Sequence, residues 1–262
     1  MKDLLKRTGI LLFWLFLWQS AAWLLCQPIF LVGPLETLQA LLRLAGESGF
    51  WLAVFSSLGR ISAGFALAFS LGLICGCAAY AWPFFGEWIS PILTLIKSVP
   101  VASFVILALI WTGADHLATT ISFLVVFPMI CLNTRAGLEA ADAKLLEMAQ
   151  VFRVRLFPKI RHIYRPAMAP YLLSACQTAL GMCWKSGIAA EVIGTPPHSI
   201  GEKLYMAKVF FSTDELFAWT AVVILLSYLF EKIMQRLLRC FMQEHALPDR
   251  RKEYDASYPE SE

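Results

Sequence analysis

The chain has 262 residues, of which 58% are hydrophobic and only 16% charged, with a formal net charge of +3. That balance excludes an ordinary soluble globular domain. The small positive charge gives no ground for nucleic-acid binding, and a lipid bilayer is the solvent that suits the composition.

A helix needs about 20 apolar residues to cross the hydrocarbon core, and six such segments are predicted, at 9–26, 51–80, 88–114, 117–133, 171–190 and 216–238. Together they predict an all-α polytopic membrane protein, with one transmembrane domain over 1–245 and a disordered tail over 246–262. The first segment follows Lys2, Lys6 and Arg7 as a secretory leader would. However, Ala21-Ala22 runs on into Trp23-Leu24-Leu25 with no small-x-small cleavage site, so it reads as a retained span.

Between the first two spans, Leu35, Leu38, Leu41 and Leu42 have helical spacing and predict a short amphipathic helix. The second span carries Gly64, Ala68, Gly72 and Gly76 at four-residue intervals, a stripe that admits close approach of another helix. Pro91 and Pro100 in the third span and Pro128 in the fourth predict bends or breaks, tolerated where neighbours or a cavity satisfy the freed carbonyls. Ser212-Thr213-Asp214-Glu215 has capping-box spacing and marks the start of the sixth span.

Lysine and arginine are unevenly distributed. With the N-terminus inside, sixteen fall in inner segments and only Arg43, Lys203 and Lys208 in outer loops, so both termini are expected in the cytoplasm. The seven cysteines lie in or beside spans and read as packing residues, and Cys75 and Cys77, two apart, point to different helix faces. His116, His162, His198 and His245 have no metal-ligand spacing, so no metal is expected.

The connection from 135 to 170 is the longest in the chain. Within it Leu145, Met148, Ala149 and Phe152 recur at i, i+3, i+4, i+7 and predict an amphipathic helix, and Phe157 to His162 is basic and extends toward the membrane. This loop resembles that of the permeases of type I ATP-binding cassette importers, within them the sulfonate, taurine, nitrate and bicarbonate group. Their EAA loop reads Glu-Ala-Ala, three residues, Gly, nine residues, Ile-x-Leu-Pro; here Glu147-Met148-Ala149, Arg153 and Ile163-Tyr164-Arg165-Pro166 fit without a gap. Arg153 stands where the family has a glycine that permits positive φ, a conformation arginine adopts reluctantly. A literal Glu139-Ala140-Ala141 has no matching continuation.

The resemblance extends through Gly33 to Leu38, Ser57-Leu58-Gly59-Arg60, Lys97-Ser98-Val99-Pro100 and Cys183 to Gly194. It implies a bacterial-type inner or plasma membrane permease paired with a second copy, two cytoplasmic ATPase subunits and an extracytoplasmic solute-binding protein. It also implies that Glu147, Met148, Ala149, Phe152, Arg153, Ile163 and Pro166 form the ATPase-coupling element. The chain has no phosphate-binding G-x-x-x-x-G-K-[ST] loop, so ATP is expected on the partner subunit and no cofactor or enzymatic activity on this one.

Lys97, Ser98, Pro100, Gln177, Trp184, Lys185 and Glu191 are the candidates for a substrate pathway, the lysines suiting an organic or inorganic anion. Alternatively, Lys97 snorkels, Lys185 neutralises Glu191, and Glu191 is an exposed helix-end charge. Arg60 reads as an interfacial anchor or ion-pair partner. An ATP-independent channel or secondary transporter is the other functional class the spans allow.

Overall fold

The computed structural model describes residues 2–25, 27 and 30–243; the tail expected at 246–262, His245 and Cys26 lie outside them. The described chain is all-α. Its helices are α1 (Lys2–Leu25), α2 (Pro34–Ala45), α3 (Ser48–Ala81), α4 (Pro83–Ser98), α5 (Val101–Glu139), α6 (Ala143–Val151), α7 (Leu156–Lys159), α8 (Arg165–Gly194), α9 (Ile200–Val209) and α10 (Thr213–Gln243). A π-helical turn, Ile160–Tyr164, joins α7 to α8. Among the described residues four helices are long and apolar enough to cross a membrane, at Thr8–Leu25, Ser48–Ala81, Val101–Glu139 and Thr213–Leu238.

α5 packs most extensively, against α3 and against α8, and α10 lies against α8. The small-residue stripe of α3 is what lets α5 in. A β-carbon at Gly64 would stand 2.5 Å from the Thr119 carbonyl oxygen, one at Gly72 2.9 Å from Ile130 Cβ, and one at Gly76 2.6 Å from Thr134 Cβ. On α8, a β-carbon at Gly187 would meet Ile61 Cγ1 and Ser122 Oγ at 2.8 Å. The three helices therefore touch at backbone level, as small residues allow where no hydrophobic effect drives helices together. Phe65, Ile130, Leu180, Trp184 and Trp219 fill the remaining core.

The third and fourth expected spans are divided differently from the prediction at 88–114 and 117–133. Pro100 has no amide hydrogen to continue the ladder, and α4 stops at Ser98 while α5 begins at Val101. The second break is at Gly113, inside α5, where φ is 71° and ψ 173°. There the chain turns back, so that Val105 and Ala108 pack on Leu117 and Ile121 in a small core of their own with Ala190. Pro91 and Pro128 lie inside continuous helix.

α8 runs 30 residues, longer at both ends than the expected 171–190. It is too polar to count among the four strongly apolar helices, because Ser174, Gln177, Thr178 and Lys185 all lie along its exposed side. α2 is the short helix predicted between the first two spans. Leu35, Leu38 and Leu42 are exposed, and the covered stripe is Thr37, Ala40 and Leu44. Packing on α10 selects that face: Arg43 reaches Asp214 at 3.1 Å and Glu215 at 3.2 Å in its first turn.

Cys131, Cys176 and Cys183 are buried, Cys75 half-buried and Cys77 exposed, all as free thiols. No cluster of metal-ligating side chains exists among the described residues.

Gly72→Val should lower stability by about 1–3 kcal/mol through overpacking, read as a fall in the thermal midpoint of the detergent-purified chain. Gly59→Val, where nothing lies within 4 Å of the added carbon, should leave the midpoint in place. Equal falls at both positions would contradict backbone-level contact at the stripe.

Candidate functional site

α6 starts where Asp142 caps it, the carboxylate accepting from the Lys144 amide at 2.8 Å. It ends in a Schellman turn: the Val154 amide donates to the Ala149 carbonyl at 2.9 Å and the Arg153 amide to the Gln150 carbonyl at 3.1 Å. This motif requires the residue after the C-cap to be left-handed, and Arg153 takes φ 51°. The arginine thus keeps the turn that a glycine would make, at the cost of about 1–2 kcal/mol that an L side chain meets in this region.

Of the predicted apolar stripe only Ala149 is covered, at 4% exposure, by the chain itself. Met148 is 50% and Phe152 74% exposed, with Leu145 beside them. Glu147 is also exposed, on the same short helix. The literal Glu139 lies elsewhere, ending α5 in an ion pair with Arg135 at 2.8 Å.

Ile163 is half-buried in the π turn, and Pro166 opens α8. Proline lacks an N–H and crowds the carbonyl four residues back, so the ladder widens just upstream and the Arg165 amide bonds Ile160 instead. The Tyr80 and Tyr164 rings meet edge-on at 5.7 Å, which fixes this turn to the end of α3.

At the opposite end of the bundle a carboxylate is fully buried. Glu191 Oε2 accepts from the Ser57 hydroxyl at 2.6 Å and from the Gly201 amide at 3.3 Å, and Arg60 Nη1 stands 3.8 Å from Oε1. Arg60 also approaches Asp115 at 3.7 Å and donates to the Pro197 carbonyl at 3.4 Å. One cluster thereby ties α3, α5, α8 and α9. Thr195 and His198, in the loop that closes over it, hold φ of 45° and 54°, and non-glycine residues persist there only where their surroundings over-determine them.

This burial corrects two sequence readings: Glu191 is no exposed helix-end charge, and its partner is Arg60 rather than Lys185. Trp184, another of the pathway candidates, lies in the core of the bundle. It is 1% exposed and packs edge-on against Phe230 at 5.9 Å. Lys97, Ser98, Pro100, Gln177 and Lys185 are all exposed, the first three at the α4–α5 break and the last two on the polar side of α8. Sequence reasoning did not connect Ser57 and Gly201 to Glu191. The Ser57–Arg60 motif was visible, but its carboxylate lies 134 residues away from Ser57.

A family model described as "Binding-protein-dependent transport system inner membrane component" matches residues 68–242. The taurine transport system permease protein TauC of Escherichia coli (strain K12) is 27% identical over 228 residues, 85% of this chain and 82% of that protein. The putative aliphatic sulfonates transport permease protein SsuC of Bacillus subtilis (strain 168) is 29% identical, covering 70% of this chain and 67% of that one. The nitrate import permease protein NrtB of Synechococcus elongatus is 24% identical over 66% and 69%. Among solved structures, a bacterial ABC transporter involved in import of the acidic polysaccharide alginate has a chain that superposes with a TM-score of 0.57 at 16% identity, covering 90% of this chain and 96% of that one. A chain of an amino acid ABC transporter superposes at 0.53 and 17%, covering 74% and 94%. These two likenesses are of fold.

Arg153→Gly should stabilise the chain by about 1 kcal/mol by relieving the left-handed arginine, whereas Arg153→Val should destabilise it; thermal midpoints in detergent decide the order. Glu191→Leu removes the charge facing Arg60 and should cost about 3 kcal/mol, and Glu191→Gln, which keeps acceptors for Ser57 and Gly201, should cost less.

Proposed function

The chain belongs to the family of binding-protein-dependent transport system inner membrane components, and from that premise we propose that it moves a small anionic solute across the membrane by alternating access, driven by ATPase subunits docked on α6. It is a multi-pass permease of the ATP-binding cassette class. The finer reading has both termini and the α6 loop in the cytoplasm, two ATPases beneath, a second permease copy alongside, and a solute-binding protein delivering cargo at the opposite face.

One observation carries the docking: α6 leaves Met148 and Phe152 bare on a capped, rigidly terminated helix outside the bundle. An exposed apolar helix face of this kind suits insertion into a partner's groove. The short path from α6 through α7 and the π turn into α8 gives motion of a docked partner a direct route to the bundle. Tyr80 against Tyr164 shares that displacement with α3.

An anionic cargo is supported by two exposed lysines within the bundle segments, Lys97 and Lys185, the second beside Gln177 on the polar side of α8. It is also supported by the taurine, sulfonate and nitrate systems in which the relatives serve. Charges at such positions normally face water or a bundle interior. The buried Glu191 cluster holds the far ends of the helices together, so that they move as one body.

The test is purification of the tagged chain with its cellular partners. The expected result is an ATP-hydrolysing complex that Met148→Asp with Phe152→Asp depletes of ATPase at least tenfold, with the detergent elution profile of the permease unchanged. Solute flux through the reconstituted chain without any ATPase or nucleotide would reject the proposal in favour of a channel or secondary carrier.

A further inference from the structure

α4 is apolar except along one line. Ser90, Thr94, Lys97 and Ser98 fall on a shared helical face, all are exposed, and with Leu93 and Leu132 they border a cavity of about 250 Å³ between α4 and α5. That volume holds a small oxyanion with its water. The hydroxyls of Thr94 and Ser98 donate to their own helix, at 2.9 Å to the Ser90 carbonyl and 3.1 Å to the Leu95 carbonyl, so the donors left for a ligand are the Lys97 ammonium and the Ser90 hydroxyl.

Lys97 belongs to none of the ion pairs formed among the described residues. It stands roughly 16 Å along α4 from Gly86 at 1.5 Å per residue. Gly86 marks the end of the bundle near α6, where a β-carbon would come within 3.1 Å of Arg135. That distance exceeds the reach of a lysine side chain, so snorkelling to the near surface does not satisfy the charge. An unpaired ammonium at this depth needs water and a counter-ion.

We propose that this cavity is an oxyanion-accepting vestibule, in which a sulfonate, nitrate or carboxylate group rests against Lys97 while Ser90 and Thr94 line the wall. The assignment rests on the reading of the chain as a solute permease, and names where on α4 its cargo passes. Leu132 closes the back of the vestibule. The α4–α5 break at Val99–Pro100 lies one turn beyond Lys97 and bounds it at the far end.

The test uses the full chain in lipid bilayers with Cys26, Cys75, Cys77 and Cys240 each changed to alanine, which leaves only the buried Cys131, Cys176 and Cys183 as native thiols, and Thr94→Cys as a reporter in the wall. Two methanethiosulfonates serve as probes, one carrying a sulfonatoethyl group and the other a trimethylammonioethyl group, each rate normalised to that with free cysteine. The sulfonate probe should react about tenfold faster than the cation, the scale on which a charged cleft concentrates counter-ions. Lys97→Gln should bring the ratio close to one, and Lys97→Arg should keep it. Ser90→Cys, a near-isosteric change, gives the same readout should the first reporter fold poorly. Lack of reaction with either probe at both reporters would overturn the vestibule, as would a preference that survives Lys97→Gln. ATPase capture by α6 is independent of these rates, so the vestibule can fail while the permease reading stands.

Discussion

Gly64, Gly72, Gly76 and Gly187 lack the one atom that would keep α3, α5 and α8 apart. In lipid, apolar side chains gain little by leaving one apolar neighbour for another, so helices associate through close van der Waals contact and hydrogen bonding. The glycines let backbone meet side chain at distances no β-carbon tolerates, and the rest of the architecture is arranged around that contact. α10 adds Trp219 and Phe230 to the outer side of the triad, while α1 and α2 attach more lightly.

A body packed this tightly moves as a unit, and that bears on how force would pass through it. Its two ends are finished differently. At one end the Glu191, Ser57 and Arg60 cluster pins α3 to α8 and α9 with buried polar contacts. At the other, Tyr80 and Tyr164 join α3 to the π turn, and α6 extends from it with an uncovered apolar face. Between these ends α4 and the first arm of α5 are less embedded, bounded by the Pro100 break and the left-handed Gly113. A rigid triad with a jointed arm fits a permease that exposes its interior first to one side and then to the other.

Hydropathy and the EAA spacing made the fold class and the position of α6 readable from sequence, because each depends on local pattern. The small-residue stripe was equally legible, since four-residue spacing needs no knowledge of the partner helix. Gly113 was not, because a single glycine in an apolar stretch has the same composition whether the helix continues or folds back. The short helix α2 was legible from its leucine spacing, but not the face it turns inward, Thr37, Ala40 and Leu44, which packing on α10 selects. Glu191 shows the limit for long-range chemistry, its partners Ser57, Arg60 and Gly201 being brought together only by the packed triad. At Arg153 the sequence raised the right question, and the Schellman bonds answered it: local hydrogen bonding holds an arginine where glycine is the easier choice.

The most direct test of α6 as the coupling element is site-specific photo-crosslinking in intact cells, with a benzoylphenylalanine at Met148. The expected product is an adduct whose second component, identified by mass spectrometry, is a cytoplasmic ATPase carrying a G-x-x-x-x-G-K-[ST] phosphate loop, and which is lost when Phe152→Asp is added. Adducts with lipid alone, or with the permease itself, would contradict it.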